Sequence, residues 1–570
     1  MINHELSEIF SLLADASEFK EENQFKVIAY RKASGIIKDF PQNIGEYAKN
    51  NSLKEIPGIG VGIAKKITEY IETGRITKFD EITEEIPNGI LEMFKIPYLG
   101  PKTLKLAYEE LAVDSLTKLK RAISSGNLAL LTGMGKKKVK RISEAIQLFL
   151  KSEIGKRRFI IGDIYPLIEE IVEELGKVAS RITPCGSYRR MKETVGDIDL
   201  LAVSDKGADI IQLFTRLPFV RKLIVSGKTK ATILVNKPPV KIDIRISEED
   251  SFGACLQYFT GSKSHNVKLR SFAKSKKMKI NEYGVFKGTK KVGGKTEEEV
   301  YRSIGLDFIP PEMREDKGEI ELAIKHKLPQ IVDYKDFRGD LHIHSRFSDG
   351  TNSIMDIAKA AKKMKHEYVA ICDHSKSATY ASGLSSDMLL KKNEKIDMVN
   401  NDINGITVLK GVEVDILSNG ELDYNDNILK TVDIVIAAIH QGFKKNVTER
   451  MLSVMENPYV NIIAHPTGRL ISKRKGYEVN LEKVFAKAKE KSVVMEINAY
   501  SDRMDLSDIN VAKAKEYGLK FSIGTDAHNL GMMRYWHLGI GIARRAWLKK
   551  EDIINCYPLD DLQQFLRKGN

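Results

Sequence analysis

The chain of 570 residues is longer than one hydrophobic core normally serves, so three or more structural units are expected. With 42% hydrophobic and 29% charged residues its composition is that of a globular protein, and 91 Lys+Arg against 77 Asp+Glu leave a net charge of +14, which favours a polyanionic partner, most often nucleic acid. Cys185, Cys255, Cys372 and Cys556 show no CxxC spacing, which excludes a disulfide framework or a thiolate zinc site and fits a reducing cytoplasm. The start, MINHELSEIFSLLADASEFKEEN, interrupts its apolar positions with acids and has no cleavage pattern, and no apolar run is long enough to span a bilayer. A soluble, cytoplasmic monomer without membrane contact is the expectation.

Residues 1 to about 150 carry apolar side chains at three- and four-residue spacing, which predicts helices throughout. One pattern recurs at intervals of roughly forty residues: IPGIGVGIAKKI from Ile56, IPYLGPKTLKLA from Ile96 and LTGMGKKKVKRI from Leu131. Gly58, Gly60 and Gly62 in the first copy, Gly100 in the second, and Gly133 and Gly135 in the third permit a tight turn before a lysine-bearing helix. The amides of such a turn, the positive helix end and Lys65 and Lys66 together make a phosphate seat. Ordinary helix-turn-helix packing corners are the plain alternative. Three copies in a basic protein favour contact with the DNA backbone, and the segments resemble helix-hairpin-helix motifs.

From about 155 to 245 strands and helices mix. In CGSYRRMKETVGDIDLLAV, Asp197 and Asp199 flank one isoleucine, so period-two geometry sends both carboxylates to one face. Like charges that close repel unless a cation sits between them, and a divalent metal ion is the natural candidate. Gly186 and Ser187 can form a phosphate-holding turn, with Arg190 neutralising phosphate charge. VKIDIRI supplies Asp243 on a second strand, flanked on its own face by Lys241 and Arg245, as a third carboxylate for a two-metal site. These parts suit metal-assisted attack of a hydroxyl on a nucleotide phosphate, with pyrophosphate leaving. Taken alone, the aspartates also read as solvated strand residues.

GSYRRMKETVGDIDLL, KIDIRI, YFTGSKSHNVKLRSFAKSKKMKINEYGVF and NQFKVIAYRKASGII resemble, in order and spacing, the family X DNA polymerases. The resemblance covers residues 1 to about 318. It implies Asp197, Asp199 and Asp243 as ligands of Mg2+ or Mn2+, with Asp243 also helping to activate the primer 3′ hydroxyl. Ser187, Arg190 and Gly196, with Gly186, are implied to hold the triphosphate, Tyr258, Phe259 and Gly261 the sugar, Asn266 the base edge and Arg270 the template. It further implies Lys66 as a Schiff-base nucleophile acting on 5′ deoxyribose phosphate and Lys26 as a phosphate ligand, although Gly62 stands where a second supporting lysine belongs. A lysine after such a turn is otherwise solvated or touching phosphate.

From Gly339 onward short apolar runs alternate with helical stretches, and the runs end in His, Asp or Glu, which predicts a parallel βα barrel with its active face at the strand ends. DLHIHSRFSDG carries His342, His344 and Asp349; then come His374, Glu413, His440, His465, Asp526 and His528. So many polar groups at barrel-strand ends would be costly as mere packing, and imidazole with carboxylate suits manganese, zinc or iron. Asp373, Asp415, Glu496 and His537 fall outside the pattern and are candidates for supporting roles.

Residues 338–570 resemble the polymerase and histidinol phosphatase (PHP) domain, a metal-dependent phosphoesterase barrel, with Asp349 where some members carry histidine. The resemblance implies up to three ions of Mn2+, Zn2+ or Fe: His342, His344, Glu413 and Asp526 on one, Asp349, His374 and His528 on a second, and Glu413, His440 and His465 on a third. Arg469 and Lys473 are placed to hold the substrate backbone, or serve only solubility.

The expected fold is multidomain α+β and α/β: a helical 8-kDa-like domain over 1–80, a helical fingers-like domain over 81–154, a nucleotidyltransferase palm over 155–250, a thumb over 251–318, a linker over 319–337 and a distorted (β/α) barrel of PHP type over 338–570. The expected function is gap-filling DNA synthesis in repair from gapped or nicked duplex DNA and deoxynucleoside triphosphates. A 3′→5′ exonuclease is expected in the same chain, and the resemblance admits cutting at abasic sites. The alternatives are a template-independent nucleotidyltransferase fused to a small-molecule phosphatase, and a non-catalytic DNA-end scaffold.

Overall fold

The computed structural model describes residues 2–567 apart from 41–43, 51, 95, 97, 136, 147–157 and 237; the expected boundary at 154/155 lies outside the described residues. The chain divides into two compact units, Met1–Lys156 and Arg157–Asn570. Among the described residues no helix is long and apolar enough to cross a membrane.

The first unit is helical. Helices Ile2–Phe19 and Gln24–Asp39 pair through Leu6, Phe10 and Leu13 against Ala33 and Ile37, all without solvent exposure, because apolar residues three and four apart form one stripe. Asn23 caps the second helix by accepting from the Phe25 amide at 2.8 Å. The three repeats fold alike. The amides of Ile59, Leu99 and Met134 donate to the carbonyls of Ile56, Ile96 and Leu131 at 3.0, 3.2 and 3.0 Å, each closing a turn ahead of a helix.

In the second unit a five-stranded sheet is ordered β2-β4-β7-β6-β5, with β2 Arg181–Pro184, β4 Ile198–Val203, β5 Val220–Ser226, β6 Lys230–Val235 and β7 Lys241–Ser247. A short ladder of β1 Phe159–Ile160 with β3 Thr194–Val195 lies beside it in sequence. Only the β4–β7 pair is parallel. Helix Ile161–Gly176 turns Ile164, Ile168, Ile171 and Leu175 into the core under this sheet, and each such buried side chain contributes roughly 1.5–3 kcal/mol. Helices Phe252–Thr260 and Lys263–Ser275 follow, with an antiparallel meander of β8 Met278–Asn281, β9 Gly284–Lys287 and β10 Lys290–Gly293. The stretch 319–337 holds helix Glu319–Ile324, whose fully buried Glu319 meets His265 Nδ1 at 2.7 Å.

The C-terminal part is a parallel seven-stranded sheet hydrogen-bonded in chain order: β11 Gly339–Ile343, β12 Tyr368–Ile371, β13 Thr407–Asp415, β14 Ile434–Ala438, β15 Ile462–Ile463, β16 Val494–Asn498 and β17 Phe521–Gly524. A bridge from Ile343 to Ala527 brings the last strand back to the first, so the sheet is a nearly closed barrel. Its strands are almost continuously buried, as parallel strands covered by helices must be.

Candidate nucleotidyl-transfer and metal centres

Parallel pairing of β4 with β7 sets Asp199 directly opposite Asp243, and β6 sets Thr232 opposite Asp243 from the other side. Asp197 is exposed just ahead of β4, Asp199 is half-buried and Asp243 is 7% exposed. Burial and repulsion from Asp197 and Asp243 push the Asp199 carboxyl up to about 6. Burial also works against Asp243, but Lys241 at 2.8 Å and the Thr232 hydroxyl overcome it and hold that carboxyl low, with Lys230 at 3.5 Å. Three neighbouring carboxylates, one of them raised by the other two and one recruiting lysines, form a site that favours positive charge, which is the condition a divalent cation satisfies.

Gly186 has φ +63, and a Cβ there would lie 3.4 Å from Asp199 Oδ2, so the glycine turn sits against the carboxylate. It starts the short helix Gly186–Arg189 that carries Ser187. Gly196 lies one residue before Asp197, between β3 and β4. Arg190 donates Nε to Glu315 at 3.0 Å and Nη1 to the Thr260 carbonyl. The ring of Tyr258 meets that of Phe259 edge-on at 5.1 Å, and Gly261 comes close to Arg190 Nη1. Asn266 accepts from Gln257 at 2.7 Å and donates to the Tyr258 carbonyl at 2.8 Å, while exposed Arg270 donates Nε to the Asn266 carbonyl at 3.2 Å. Arg190 and Asn266 are thus already held by protein partners.

In the helical unit Gly60 and Gly100 precede helices Val61–Thr73 and Pro101–Leu111 and supply no side-chain cap, and Gly58 and Gly133 adopt φ +89 and +75 in their turns, with Gly135 just beyond the third turn. The first amides of these helices therefore have no side-chain acceptor of the usual kind. Lys26 is exposed, and the Lys66 ammonium lies 5.8 Å over the Tyr30 ring. Space is open beside Gly62.

At the C-terminal ends of the barrel strands three groups bring their ligand atoms within 4.8 Å of one another: His344, Asp349, His374 and His528; His342, His344 and Asp526; and His374, Glu413 and His440. Glu413 is 1% exposed and central, 3.0 Å from His465 Nε2, 3.3 Å from His440 Nε2 and 2.9 Å from His374 Nδ1. His344 Nε2 lies 3.0 Å from Asp526, and His528 Nε2 3.2 Å from Asp349. Burial alone would discharge His440 and His528, yet Glu413 and Asp415 hold the first up to about 10, and Asp349 and Asp526 the second up to about 9. His342 Nε2, both ring nitrogens of His344 and Glu413 Oε2 are buried without a hydrogen bond. Such orphaned donor atoms converging beside carboxylates fit metal ions of the N/O-ligated class. His465 and Asp526 have φ +26 and +53, left-handed values uncommon for non-glycine residues.

Glu496 accepts from His342 Nδ1 at 2.7 Å and from the His465 amide at 2.8 Å, and Asp415 accepts from His440 Nδ1 at 2.9 Å. Gly524 makes the first of these contacts feasible, since a Cβ there would meet His342 Cβ at 2.4 Å. Asp373 binds Ser345 and Ser348, while His537 stacks on Trp536 away from the cluster. Arg469 donates to Glu193 at 2.7 Å and Lys473 pairs with Asp502, so both are engaged by protein carboxylates.

Several contacts had no sequence signal. Glu315 accepts from Arg190 and, at 3.0 Å, from Arg545 of the barrel. Arg503 stands 3.6 Å from Asp526, and fully buried Arg314 pairs with Glu297. An unusually polar run after a barrel strand, NAYSDRMD, is the one pattern that could have pointed to Arg503.

The chain matches family models for a helix-hairpin-helix domain over residues 1–76, a SAM-like helix-hairpin-helix tandem over 90–147, the DNA polymerase beta thumb over 255–315 and the PHP domain over 340–499. It is 30% identical over 244 residues to a protein called "probable phosphatase" from Thermoanaerobacter sp. (strain X514), covering 40% of this chain and 94% of that protein. It is 25% identical over 350 residues to DNA polymerase lambda of Rattus norvegicus, covering 55% and 56% of the two chains. Against the DNA polymerase/3'-5' exonuclease PolX of Bacillus subtilis (strain 168) identity is 35% over 582 residues, covering 100% of both. An end-to-end relative of that similarity, with the polymerase beta thumb ahead of a PHP domain, makes this chain a member of the PolX family, family X DNA polymerases that carry a C-terminal PHP domain.

Proposed function

We propose that the chain is a DNA-directed DNA polymerase that fills short gaps during DNA repair, and that its barrel is a 3′→5′ exodeoxyribonuclease. The observation that carries the first half is the register of Asp199 on Asp243, with Asp197 one step ahead. Mg2+ or Mn2+ bound there would supply charge neutralisation for a transferring phosphoryl group and lower the pKa of the attacking hydroxyl. The protein's own part is placement. Ser187, Gly186 and Gly196 lie where the triphosphate enters, Tyr258, Phe259 and Gly261 flank the sugar, and Asn266 and Arg270 face the base pair. Arg190 joins the triphosphate by leaving Glu315, and Asp243, once freed of Lys241, accepts the primer hydroxyl proton.

In the barrel, His342, His344, Asp349, His374, Glu413, His440, His465, Asp526 and His528 are the ligands of up to three ions of Mn2+, Zn2+ or Fe, which would supply an activated water for phosphodiester attack. Glu496 and Asp415 fix the ring orientation of His342 and His440. The helical hairpins hold gapped or nicked duplex by its backbone, with Lys26 beside them as a phosphate ligand. Lys66 is the candidate Schiff-base nucleophile for 5′ deoxyribose phosphate. The protein works as a monomer, and in the cytoplasm, in keeping with a reducing compartment for its four free cysteines.

Incubating purified protein with a gapped duplex, deoxynucleoside triphosphates and Mn2+ tests both halves. Asp199→Ala is expected to lose extension and keep trimming, and His344→Ala the reverse. Loss of both activities in either variant, or extension equal with and without a template strand, overturns the reading.

A further inference from the structure

Tyr380 stands at the mouth of the barrel's metal cluster. Its ring centroid is 6.2 Å from that of His374 and 6.3 Å from that of His440, yet the residue is 65% exposed. The loop that carries it is anything but loose. Ala378 is 0% exposed and Ala381 1%, the Ala381 and Gly383 amides both donate to the Ala378 carbonyl at 2.9 and 3.0 Å, and Ser377 is tied by amide and hydroxyl to Asp423 at 2.7 and 2.6 Å. Gly383 lies so close to the Ser375 carbonyl that a Cβ would sit 1.9 Å from it. A rigid turn with buried flanks thus presents one bare aromatic ring beside the candidate ligands. Scattered exposed aromatics are ordinary on protein surfaces, but this one borders the cluster. A second feature lies one residue beyond His440. The following Gln441, with Ser377, Ser418, Asn419 and Lys445, lines a cavity of about 530 Å3, within the range of ligand pockets.

We infer that Tyr380 is a positioning residue of the nuclease, stacking on the nucleobase of the 3′-terminal nucleotide while its phosphodiester lies in the metal cluster; water attacks the phosphorus, the P–O3′ bond breaks, and the cavity beside Gln441 receives the released nucleoside 5′-monophosphate. The inference rests on the nuclease reading above. A π face accepts every base, so the contact favours unpaired DNA ends over small phosphate esters without selecting sequence. A terminal pair must unstack to reach the ring, which makes a frayed or mismatched end the better substrate. Because the turn is already ordered, little conformational entropy is lost on binding.

The test is steady-state trimming in Mn2+ of two short single-stranded oligonucleotides, one ending in an ordinary nucleotide and one in a tetrahydrofuran residue that has the sugar but no base. For the ordinary end Tyr380→Ala is expected to raise KM about 5- to 150-fold, the range for losing one base–aromatic stack, with kcat little changed. Tyr380→Phe and Tyr380→Trp should restore it. For the baseless end wild type and Tyr380→Ala should have equal KM. Equal KM for wild type and Tyr380→Ala on the ordinary end overturns the inference, as does an equal loss on both ends. A wild-type protein that trims neither oligonucleotide defeats the nuclease reading itself, and this inference falls with it.

Discussion

Glu297 joins three parts of the second unit, and removing it tests whether that junction is structural capital or decoration. The residue is 5% exposed; its Oε1 accepts from Arg189 at 2.9 Å and from Arg314 at 2.6 Å, and its Oε2 from Arg189 at 2.5 Å. Arg314 is completely buried. Burial pushes the Glu297 carboxyl up, but Arg314 and Arg189 overcome it and hold it at about 2, against 4.5 for a free one. Glu297→Ala leaves one guanidinium buried and unpaired, at a cost of about 3–5 kcal/mol. Glu297→Gln keeps the shape and an acceptor and should cost roughly 1.5–3 kcal/mol. Both tryptophans, at 536 and 547, lie in this unit, and Trp547 packs on the core formed by Leu269, Tyr301 and Ile309. Tryptophan fluorescence in a urea titration therefore reads the loss as a midpoint about 1 M lower for the alanine variant.

The folded-state carboxyl titrates below the unfolded one. Its contribution of about 3 kcal/mol is therefore complete above pH 4.5 and drains as pH falls toward 2. The gap between wild type and Glu297→Ala should narrow by about 2 kcal/mol near pH 3. Arg189 precedes Arg190, so the alanine variant should also raise KM for the incoming nucleotide. A wild-type-like midpoint at pH 7, or a gap that does not narrow in acid, would refute the argument.

Glu496→Gln removes the charged acceptor that orients His342, and metal affinity of the barrel should fall about 10- to 100-fold, read by titrating metal into chelator-stripped protein. Asp415→Asn should do the same through His440. Lys65→Ala, on the exposed face of the helix after the first hairpin, should lower the slope of log affinity against log salt by about 1 for duplex DNA regardless of sequence. A sequence-dependent loss would argue against backbone binding.

Local pattern was enough for much of this protein. The spacing of Asp197 and Asp199 and the glycine hairpins could be read from the chain, as could the polar residues closing successive apolar runs, because strand alternation, turn chemistry and the barrel's polar strand ends are written within about ten residues of each other. Those same runs led to the nearly closed barrel. What no local pattern contains is partnership across the fold. Asp243 faces Asp199 only because β7 pairs in parallel with β4 in one register, and a slip of one residue would have turned it to the other face. Glu496 and Asp415 look alike in sequence to Asp373, yet only the packing of neighbouring strands puts the first two on His342 and His440. Arg190 is bound by Glu315, 125 residues away, and Arg469 by Glu193, 276 residues away. Charge and hydrogen bonding act over a few ångströms of space, so the sequence by itself nominated candidate side chains, and only the tertiary structure decided which of them meet.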